Sequence, residues 1–301
     1  MDKANHNTVG IIGLGIMGSA IADQLISKGF SVKGIDPNPK ARAVALKSGV
    51  DCVSSVADLV SQSALLLSSL PSVESFETVC EALIRAAPSA SEKNSVVLAE
   101  TSTLPIEVKQ KQQRRLSRMG IQMLDCPLSG TGAQARVGDL AIYASGPAKA
   151  IKRMMPVFEA FTRSQVDVGK FGNGMRMKLV ANLLVAIHNV AAAEAILLGK
   201  RLGLDPAELV RVVGDGAGTS RMFQVRGPVM ASRSWEEATM KVSVWQKDMA
   251  IIGEALSKTC TPAPLFAASA PIYLAAKALG FGEQDTAAVM AVLERMAGDE
   301  E

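Results

Sequence analysis

Short apolar runs alternate with amphipathic stretches along the first half of the chain. The apolar runs predict strands at Thr8–Ile12, Ser31–Ile35, Ala64–Ser68, Ser95–Ala99, Ile121–Asp125 and Leu140–Ala144. The stretches between them predict helices at Ile16–Lys28, Pro39–Lys47, Val73–Ile84, Pro105–Ser117 and Ala148–Phe161. Strands that alternate with helices at this spacing indicate βαβ units. Because the runs Val9–Ile12, Ala64–Leu67 and Val96–Ala99 are apolar throughout, helices should cover both faces, which predicts a parallel, doubly wound sheet.

The pattern changes near Gly172, where strand-like runs stop. One long helix rich in alanine and leucine is predicted at Met175–Arg201, and Asp205-Pro206 supplies a cap and a first-turn proline for the next helix. Later helices are predicted at Ala207–Val213, Thr239–Ser257, Pro264–Leu279 and Asp285–Ala297. We therefore expect an α/β fold class, with an N-terminal doubly wound domain at residues 1–169 and an all-helical domain at 170–301, joined by the long helix.

Composition and charge exclude several classes of protein. The 301 residues include 32 Lys and Arg and 29 Asp and Glu, so the net charge is +3 and no nucleic-acid partner is expected. Four cysteines without a CxxC pair and two histidines, His6 and His188, predict reduced thiols and no metal site. The polar N-terminal segment does not resemble a signal peptide, and no uninterrupted apolar run of about 18 residues predicts a membrane span. We expect a cytoplasmic protein.

The first strand leads into a glycine-rich turn. Gly13, Gly15 and Gly18 form a GxGxxG motif between a predicted strand and an amphipathic helix. Gly13 would form the tight turn, Gly15 would let a pyrophosphate approach the backbone, and Gly18 would let the helix pack on the sheet. A strand–helix turn without a ligand is the alternative. The motif predicts a Rossmann domain in which Gly13, Gly15, Ile16, Met17 and Gly18 contact a dinucleotide at the helix N-terminus.

Asp36 ends the second predicted strand, 18 residues after Gly18. A carboxylate at this place accepts the hydroxyl groups of an adenosine ribose and repels a 2′-phosphate. No arginine follows it directly, since the sequence continues Pro37-Asn38-Pro39-Lys40. Asp36 therefore predicts NAD in preference to NADP. It could also serve as a turn-initiating residue before Pro37, and the two roles are compatible.

Further candidates follow the later strands. Leu70-Pro71 and Thr101-Ser102-Thr103 lie at carboxyl ends of strands, the edge where open α/β sheets bind ligands, although turn and capping roles would use the same residue types. Ser129-Gly130-Thr131-Gly132 combines a hydroxyl with several backbone N–H groups. That combination suits a carboxylate, and an ordinary loop would have the same composition.

The long helix carries two polar residues among apolar neighbours. Lys178 and Asn182 are four residues apart, so they share one helix face. A lysine in an apolar helix is unfavourable unless it is paired or functional, and burial favours its neutral amine. A lysine whose charged end reaches solvent is the alternative.

Four motifs occur in order: GLGIMG at residues 13–18, DCPLSGTG at 125–132, GNGMRMKLVAN at 172–182 and KDM at 247–249. In this order they closely resemble the β-hydroxyacid dehydrogenase family, over about residues 8–297. That family includes 3-hydroxyisobutyrate and L-threonate dehydrogenases and is related to 6-phosphogluconate dehydrogenase. The stretches Ala191–Ala195 and Ala217-Gly218-Thr219-Ser220 look most like the threonate-type members.

The resemblance implies reversible hydride transfer between NAD and the β-hydroxyl of a small 3-hydroxy acid such as 3-hydroxyisobutyrate, glycerate or threonate. It implies that Lys178 is the catalytic acid/base and that Asn182 helps to hold the substrate. The other implied contacts are Ser129, Gly130 and Thr131 with the substrate carboxylate, Leu70, Pro71 and Thr103 with the cofactor, and Lys247 with both. Because the family is built from dimers and tetramers that pack through the helical half, a homodimer or homotetramer is expected.

Two departures from the family pattern bear on the substrate. Ala181 stands where the phosphogluconate enzyme has a histidine, so phosphogluconate decarboxylation is not expected. Thr131 replaces the second of two adjacent glycines, which leaves the usual substrate open. A reductase or dehydrogenase acting on a semialdehyde, a β-hydroxy amino acid or a sulfonate analogue is therefore an alternative. A non-catalytic nucleotide-binding protein is a further alternative, and the retained Lys178 speaks against it.

Overall fold

The computed structural model describes residues 7–87 and 96–299. The chain divides into two compact units, Met1–Lys178 and Leu179–Glu301. This division falls within the long helix, whereas the expected domain boundary lies at residues 169 and 170. His6 and the first residue of the predicted strand Ser95–Ala99 lie outside the described residues.

The first unit is built on a six-stranded parallel sheet. Its strands are β1 (Thr8–Ile12), β2 (Ser31–Ile35), β3 (Asp51–Cys52), β4 (Leu65–Ser68), β5 (Val97–Glu100) and β6 (Gln122–Asp125). They are arranged in the order β3-β2-β1-β4-β5-β6, which is the Rossmann order. The direction of winding reverses between β1 and β4, and ligands bind beyond the carboxyl ends of strands at such a point. The predicted fold class is therefore confirmed.

Helices cover both faces of this sheet. They are α1 (Ile16–Ser27), α2 (Pro39–Lys47), α3 (Val56–Gln62), α4 (Val73–Arg85) and α5 (Ile106–Arg118). Ser72 caps α4 by accepting a hydrogen bond from the Ser75 N–H, as its position before an apolar helical run predicts. Ile11 belongs to one buried cluster and Ile12 to the cluster on the opposite face. This alternation explains why β1 has no polar face.

A second, three-stranded sheet follows β6. It comprises β7 (Leu128–Ser129), β8 (Ala141–Ala144) and β9 (Ser164–Asp167), with the short helix α6 (Gly132–Arg136) before β8 and α7 (Ala148–Phe161) after it. The run predicted at Leu140–Ala144 is a strand, but its expected place in the doubly wound sheet is wrong. A parallel addition to that sheet needs a crossover, usually a helix. Here the chain forms β7 instead, and β8 pairs antiparallel with it.

The second unit is helical in its described residues. Most of α8 (Asn173–Arg201) belongs to it, followed by α9 (Pro206–Gly214), α10 (Arg221–Ser232), α11 (Val242–Lys258), α12 (Pro264–Ala278) and α13 (Val289–Met296). Two short 3₁₀ turns occur at Phe281–Glu283 and Thr286–Ala288. The helix predicted at Asp285–Ala297 therefore begins as a 3₁₀ turn. In this turn Asp285 caps the chain by accepting from the Ala287 N–H.

Helix α8 is long and apolar enough to cross a membrane by length and composition alone. A core helix of a soluble protein satisfies the same criterion. Ala186 and Val190 of α8 lie in the apolar core of the second unit. The buried Asn189 donates to the Tyr273 hydroxyl at 3.1 Å and to the Thr286 carbonyl at 3.0 Å. These polar contacts with later parts of the unit identify α8 as one of its core helices.

Candidate active site

The glycine-rich turn is closely packed at its first glycine. Gly13 has a φ of +94° and donates its N–H to the Ile35 carbonyl at 2.9 Å. A Cβ at this position would overlap the Ser69 carbonyl, just beyond β4. The turn after β1 therefore lies directly against the chain after β4, at the edge where the winding reverses.

The other two glycines of the motif have opposite surroundings. Gly15 precedes α1 as its N-cap, and no heavy atom lies within 4 Å of a Cβ built on it. Gly18 is buried, and a Cβ there would overlap the Gly13 carbonyl. The packing around Gly18 leaves no room for a side chain, whereas the space beside Gly15 is open at a helix N-terminus. Such a cradle fits the pyrophosphate of a dinucleotide.

Asp36 holds the same turn through its carboxylate. One oxygen, Oδ2, accepts from the Leu14 N–H at 2.7 Å, and the other, Oδ1, accepts from the Asn38 N–H at 2.7 Å. Each oxygen keeps a lone pair, so the group can still accept ribose hydroxyls. Arg42 donates to the Asp36 carbonyl at 2.7 Å. The sequence interpretation missed this arginine because it lies in the second turn of the following helix rather than beside Asp36.

The chain segments after β4 and β5 are joined by hydrogen bonds. The Leu70 N–H donates to the Ser102 hydroxyl at 2.8 Å, and the Thr101 hydroxyl donates to the Ser68 carbonyl at 2.7 Å. Leu70 and its neighbour Pro71 therefore lie beside the segment that continues to Thr103. In the first unit, the structure therefore places the predicted cofactor contacts after β4 and β5 close to the glycine-rich turn.

The loop predicted to hold the substrate carboxylate begins a short helix. Gly130 has a φ of +138°, and Thr131 is the N-cap of α6. The Thr131 N–H donates to Gln134 Oε1 at 3.0 Å, and the two residues form a capping box. A Cβ on Gly132 would lie 2.6 Å from Ile16 Cγ2, so this loop packs on the glycine-rich turn. Gln134 was not among the predicted site residues, although a Thr-x-x-Gln spacing is the signal of such a cap.

The start of α8 is bonded to the strands of the first unit. The Gly174 N–H donates to the Ser145 hydroxyl at 3.0 Å, and the Met175 N–H donates to Asp125 Oδ2 at 2.9 Å. These bonds satisfy two N–H groups that a helix N-terminus leaves without intrahelical partners. Lys178 follows one turn later and is 9% exposed, so it is a buried lysine rather than a solvent-reaching one.

A buried ion cluster lies beside this helix start. Lys109 of α5 is fully buried, and its ammonium lies 2.6 Å from Glu100 Oε2 and 2.8 Å from Asp125 Oδ1. Burial by itself lowers the pKa of Lys109, but the carboxylates of Asp125 and Glu100 outweigh it, and the pKa lies above its ordinary value. The sequence interpretation missed Lys109 because α5 carries many other cations.

Cys126 directly follows Asp125 and lies next to this cluster. It is fully buried, and burial, followed by the neighbouring Asp125 carboxylate, raises the pKa of its thiol well above the ordinary value. Burial likewise raises the pKa of Cys80 to about 12. Both thiols are therefore protonated at neutral pH and poor nucleophiles. Within residues 7–87 and 96–299, no group of three or more His, Cys, Asp or Glu side chains could hold a metal ion.

In the second unit, a buried carboxylate holds the predicted substrate-binding amide. Asn182 donates through Nδ2 to Asp248 Oδ2 at 2.9 Å, and both side chains are buried. The Lys247 ammonium lies 3.6 Å from Asp248 Oδ1. Asp248 therefore fixes which way the Asn182 amide faces. The sequence interpretation named Asp248 only as part of a motif, because its partner lies 66 residues away.

Two family models match consecutive parts of the chain. The NAD binding domain of 6-phosphogluconate dehydrogenase matches residues 8–171, and the NAD-binding domain of NADP-dependent 3-hydroxyisobutyrate dehydrogenase matches residues 172–293. The chain belongs to the β-hydroxyacid dehydrogenase family. Its Rossmann unit is thus the NAD-binding part of a hydroxyacid oxidoreductase, and the second family model is named for an NADP-dependent enzyme.

Individual relatives of this family agree in sequence and in fold. L-threonate dehydrogenase of Cupriavidus necator is 32% identical over 94% of this chain and 95% of its own. The crystal structure of 3-hydroxyisobutyrate dehydrogenase from Salmonella typhimurium has a TM-score of 0.84 at 27% identity, covering 95% of this chain and 99% of that one. The enzyme of the same name from Mycobacterium tuberculosis, with L-serine, has a TM-score of 0.82 at 26% identity and the same coverage.

Proposed function

We propose that this β-hydroxyacid dehydrogenase oxidises a small, threonate-like 3-hydroxy acid with NAD, in a reversible reaction. The observation that carries the proposal is the buried Lys178 on a helix whose first turn is bonded to Asp125 and Ser145. The similarity to an L-threonate dehydrogenase over nearly the whole chain supports the substrate class. The hydroxyl is oxidised to a keto acid or a semialdehyde, according to the substituent on its carbon.

Lys178 acts as the proton acceptor in this proposal. A buried lysine is held more readily as the neutral amine, which can take the proton of the substrate hydroxyl. In the reverse direction, its ammonium returns that proton to the developing alkoxide. Asn182, one helical turn further along α8, holds the substrate with an amide that Asp248 orients. Ser129, Gly130 and Thr131 bind the substrate carboxylate, and Lys247 approaches both substrate and cofactor.

The cofactor-binding role falls to the turn after β1 and its neighbours. The open space beside Gly15 admits the pyrophosphate, and the Asp36 carboxylate accepts the adenosine ribose hydroxyls. Ile16 and Met17 contribute first-turn N–H groups of α1 to the phosphates. Leu70, Pro71 and Thr103 contact the rest of the dinucleotide. When bound, the nicotinamide supplies the hydride acceptor. The residues of the chain orient the reactants and exclude water.

A panel of three- and four-carbon hydroxy acids, each assayed with NAD and with NADP, tests this function. We expect L-threonate or a close analogue to give the highest kcat/KM with NAD, followed by the absorbance of NADH. Turnover of none of the acids, despite measurable NAD binding, would contradict the proposed reaction. Preference for a semialdehyde in the reducing direction would reverse the physiological direction but keep the residue roles.

A β-hydroxy amino acid is the second candidate substrate. The solved relative from Mycobacterium tuberculosis is described with L-serine. In this chain, Thr131 brings a side chain to the loop proposed to hold the substrate carboxylate. Including L-serine and L-threonine in the panel distinguishes the two classes, because an amino acid dehydrogenase would oxidise them faster than the corresponding hydroxy acids.

The choice of NAD over NADP is expected to depend on Asp36. Asp36→Asn removes the negative charge and retains an amide oxygen that can accept from the Leu14 N–H. With Arg42 beside this position, we expect the ratio of kcat/KM for NADP to that for NAD to rise by about tenfold, because a like charge no longer opposes the 2′-phosphate. Steady-state assays measure the ratio, and Asp23→Asn, on the exposed face of α1, is the control. An unchanged ratio would remove Asp36 from cofactor selection.

We further propose a soluble, cytoplasmic homodimer or homotetramer that assembles through the helical unit. Helix α8 leaves an apolar face exposed, with Val180, Leu184 and Leu198 exposed by 60%, 46% and 61%. An exposed apolar face of this kind is typical of a subunit interface. Sedimentation velocity should give an oligomer that Leu184→Glu with Leu198→Glu converts to monomer. A monomeric wild-type protein, or one recovered only with detergent, would contradict this assembly.

A further inference from the structure

The buried cluster of Lys109, Glu100 and Asp125 connects several parts of the first unit. One ammonium faces two carboxylates, each of which uses its second oxygen elsewhere. Removing the ammonium from such a buried group leaves two carboxylate charges without a counter-ion, so Lys109 strongly restrains both partners. The hydrogen-bond partners of the second carboxylate oxygens therefore show which segments of the unit Lys109 restrains.

Asp125 connects Lys109 to the start of α8. Its Oδ1 accepts from the Lys109 ammonium at 2.8 Å, and its Oδ2 accepts from the Met175 N–H at 2.9 Å and from the Ser145 hydroxyl at 3.2 Å. The Ser145 hydroxyl accepts from the Gly174 N–H at 3.0 Å. The first turn of α8 is thus fixed by a carboxylate that Lys109 holds in place.

Glu100 connects the same ammonium to the segment after β5. Its Oε1 accepts from the Ser102 N–H at 2.9 Å, and the Ser102 hydroxyl accepts from the Leu70 N–H at 2.8 Å. Leu70 and the neighbouring Thr103 are proposed cofactor contacts. Lys109 therefore restrains the cofactor side of the unit through Glu100 and the start of the catalytic helix through Asp125.

We propose that Lys109 is a positioning residue of the dehydrogenase, which holds the Lys178-bearing helix through Asp125 and the cofactor-binding segment through Glu100. The inference rests on the proposed roles of Lys178 and Thr103. It assigns to one buried cation two separable effects, one on turnover and one on cofactor affinity. A residue that only fills space in the core would not separate them.

Loss of the cation changes how the cluster titrates. In Lys109→Met, two buried carboxylates lie close together without the cation, so their charges repel each other unless one of them binds a proton. Ionisation at higher pH then separates the pair and releases the α8 start. Cys126 after β6 faces all three members of the cluster, and Cys80 of α4 faces Glu100; the other charged groups around Cys80 are Glu77 and Glu81 of α4 and Arg115 of α5. Both thiols stay protonated across the tested range because burial raises their pKa values.

Single substitutions that preserve shape test the two connections. Asp125→Asn is expected to lower kcat by about 10- to 100-fold with little change in the Kd for NAD, because the start of α8 shifts. Glu100→Gln is expected to leave kcat within about threefold but to raise the Kd for NAD by about tenfold, because the Ser102 segment loosens. Titration calorimetry gives the Kd and steady-state assays give kcat. Equal effects of both variants on both quantities would overturn the proposal.

The cation itself is tested by its pH profile. Lys109→Met is expected to show a new loss of both kcat and thermal stability as the pH rises, which the wild-type protein does not show. Lys109→Met combined with Glu100→Gln removes one charge of each sign and should abolish that loss. Lys111→Met, on the exposed side of α5, is the control. If Lys109→Met loses kcat and thermal stability equally at every pH, and the double variant does not restore them, Lys109 is a packing residue only.

The unfolding and NAD-binding measurements need no substrate. They therefore test Lys109 even if no hydroxy acid is turned over and the proposed reaction fails. If Lys109→Met does not fold, the separation between Asp125→Asn and Glu100→Gln decides the proposal alone. Those two substitutions exchange a carboxylate for an amide of nearly the same shape.

Discussion

Replacing Lys178 with alanine is expected to lower kcat by about 10²- to 10⁴-fold, the usual contribution of a general acid/base. The Kd for NAD should remain within about twofold, because the groups proposed to bind NAD, the turn after β1 and Asp36, are distant from this lysine in sequence. The loss arises because no other group is proposed to take the substrate hydroxyl proton. Steady-state assays with the best acid of the substrate panel and calorimetry with NAD measure the two quantities.

Two further variants separate chemistry from packing at this position. Lys178→Met keeps the volume of the side chain and should be as inactive as Lys178→Ala. Lys170→Ala, an exposed lysine before α8, should keep wild-type kcat. Small alkylamines added to Lys178→Ala should restore part of the activity, increasingly as pH rises and the free amine accumulates. Near-normal kcat in either Lys178 variant would remove this lysine from the proton transfer.

Gly15→Ala and Gly18→Ala are expected to fail in different ways. A methyl group on Gly15 enters open space, so the free energy of unfolding should hardly change while the pyrophosphate loses its close approach. We expect the Kd for NAD to rise at least about tenfold, which corresponds to about 1.4 kcal/mol. A methyl group on Gly18 overlaps the Gly13 carbonyl and should lower the free energy of unfolding by about 1–3 kcal/mol or more.

Chemical denaturation and titration calorimetry, performed on the same two proteins, measure this difference. Gly253→Ala supplies a control in α11, because a Cβ there also meets open space. Normal NAD affinity in Gly15→Ala would mean that the phosphates bind elsewhere. Unchanged stability in Gly18→Ala would mean that α1 can shift away from the turn at little cost.

Most of the sheet could be predicted because β1, β4 and β5 are apolar on both faces. The segment β3 could not, since Asp51–Cys52 is short, polar at its first residue and at the sheet edge. The same holds for β9, Ser164–Asp167, which has no buried residue. Their pairing depends on neighbours that are distant in sequence. A local pattern therefore predicts a central strand far better than an edge strand.

The site shows the same division between local and distant information. The glycine spacing and Asp36 could be predicted, because the turn needs those residue types wherever it occurs. The role of Lys109 could not be predicted, because its helix carries several cations. Only its contacts with Glu100 and Asp125, which lie on other elements, distinguish this lysine from the others. Asp248 likewise acquires its role from Asn182, on another helix. Contacts between elements, rather than residue type, decide these roles.

The capping box of α6 makes the Thr131 N–H selective for charge. Gln134 already supplies a neutral oxygen to this donor at 3.0 Å. A neutral ligand oxygen would exchange one such bond for another of equal strength. A carboxylate oxygen forms a charge-assisted bond, roughly twice as strong, and displaces the amide at a net gain. In the proposed carboxylate-binding role of this loop, Gln134 therefore competes with the ligand for the Thr131 N–H, and we expect alcohols and aldehydes without a carboxylate to bind poorly there.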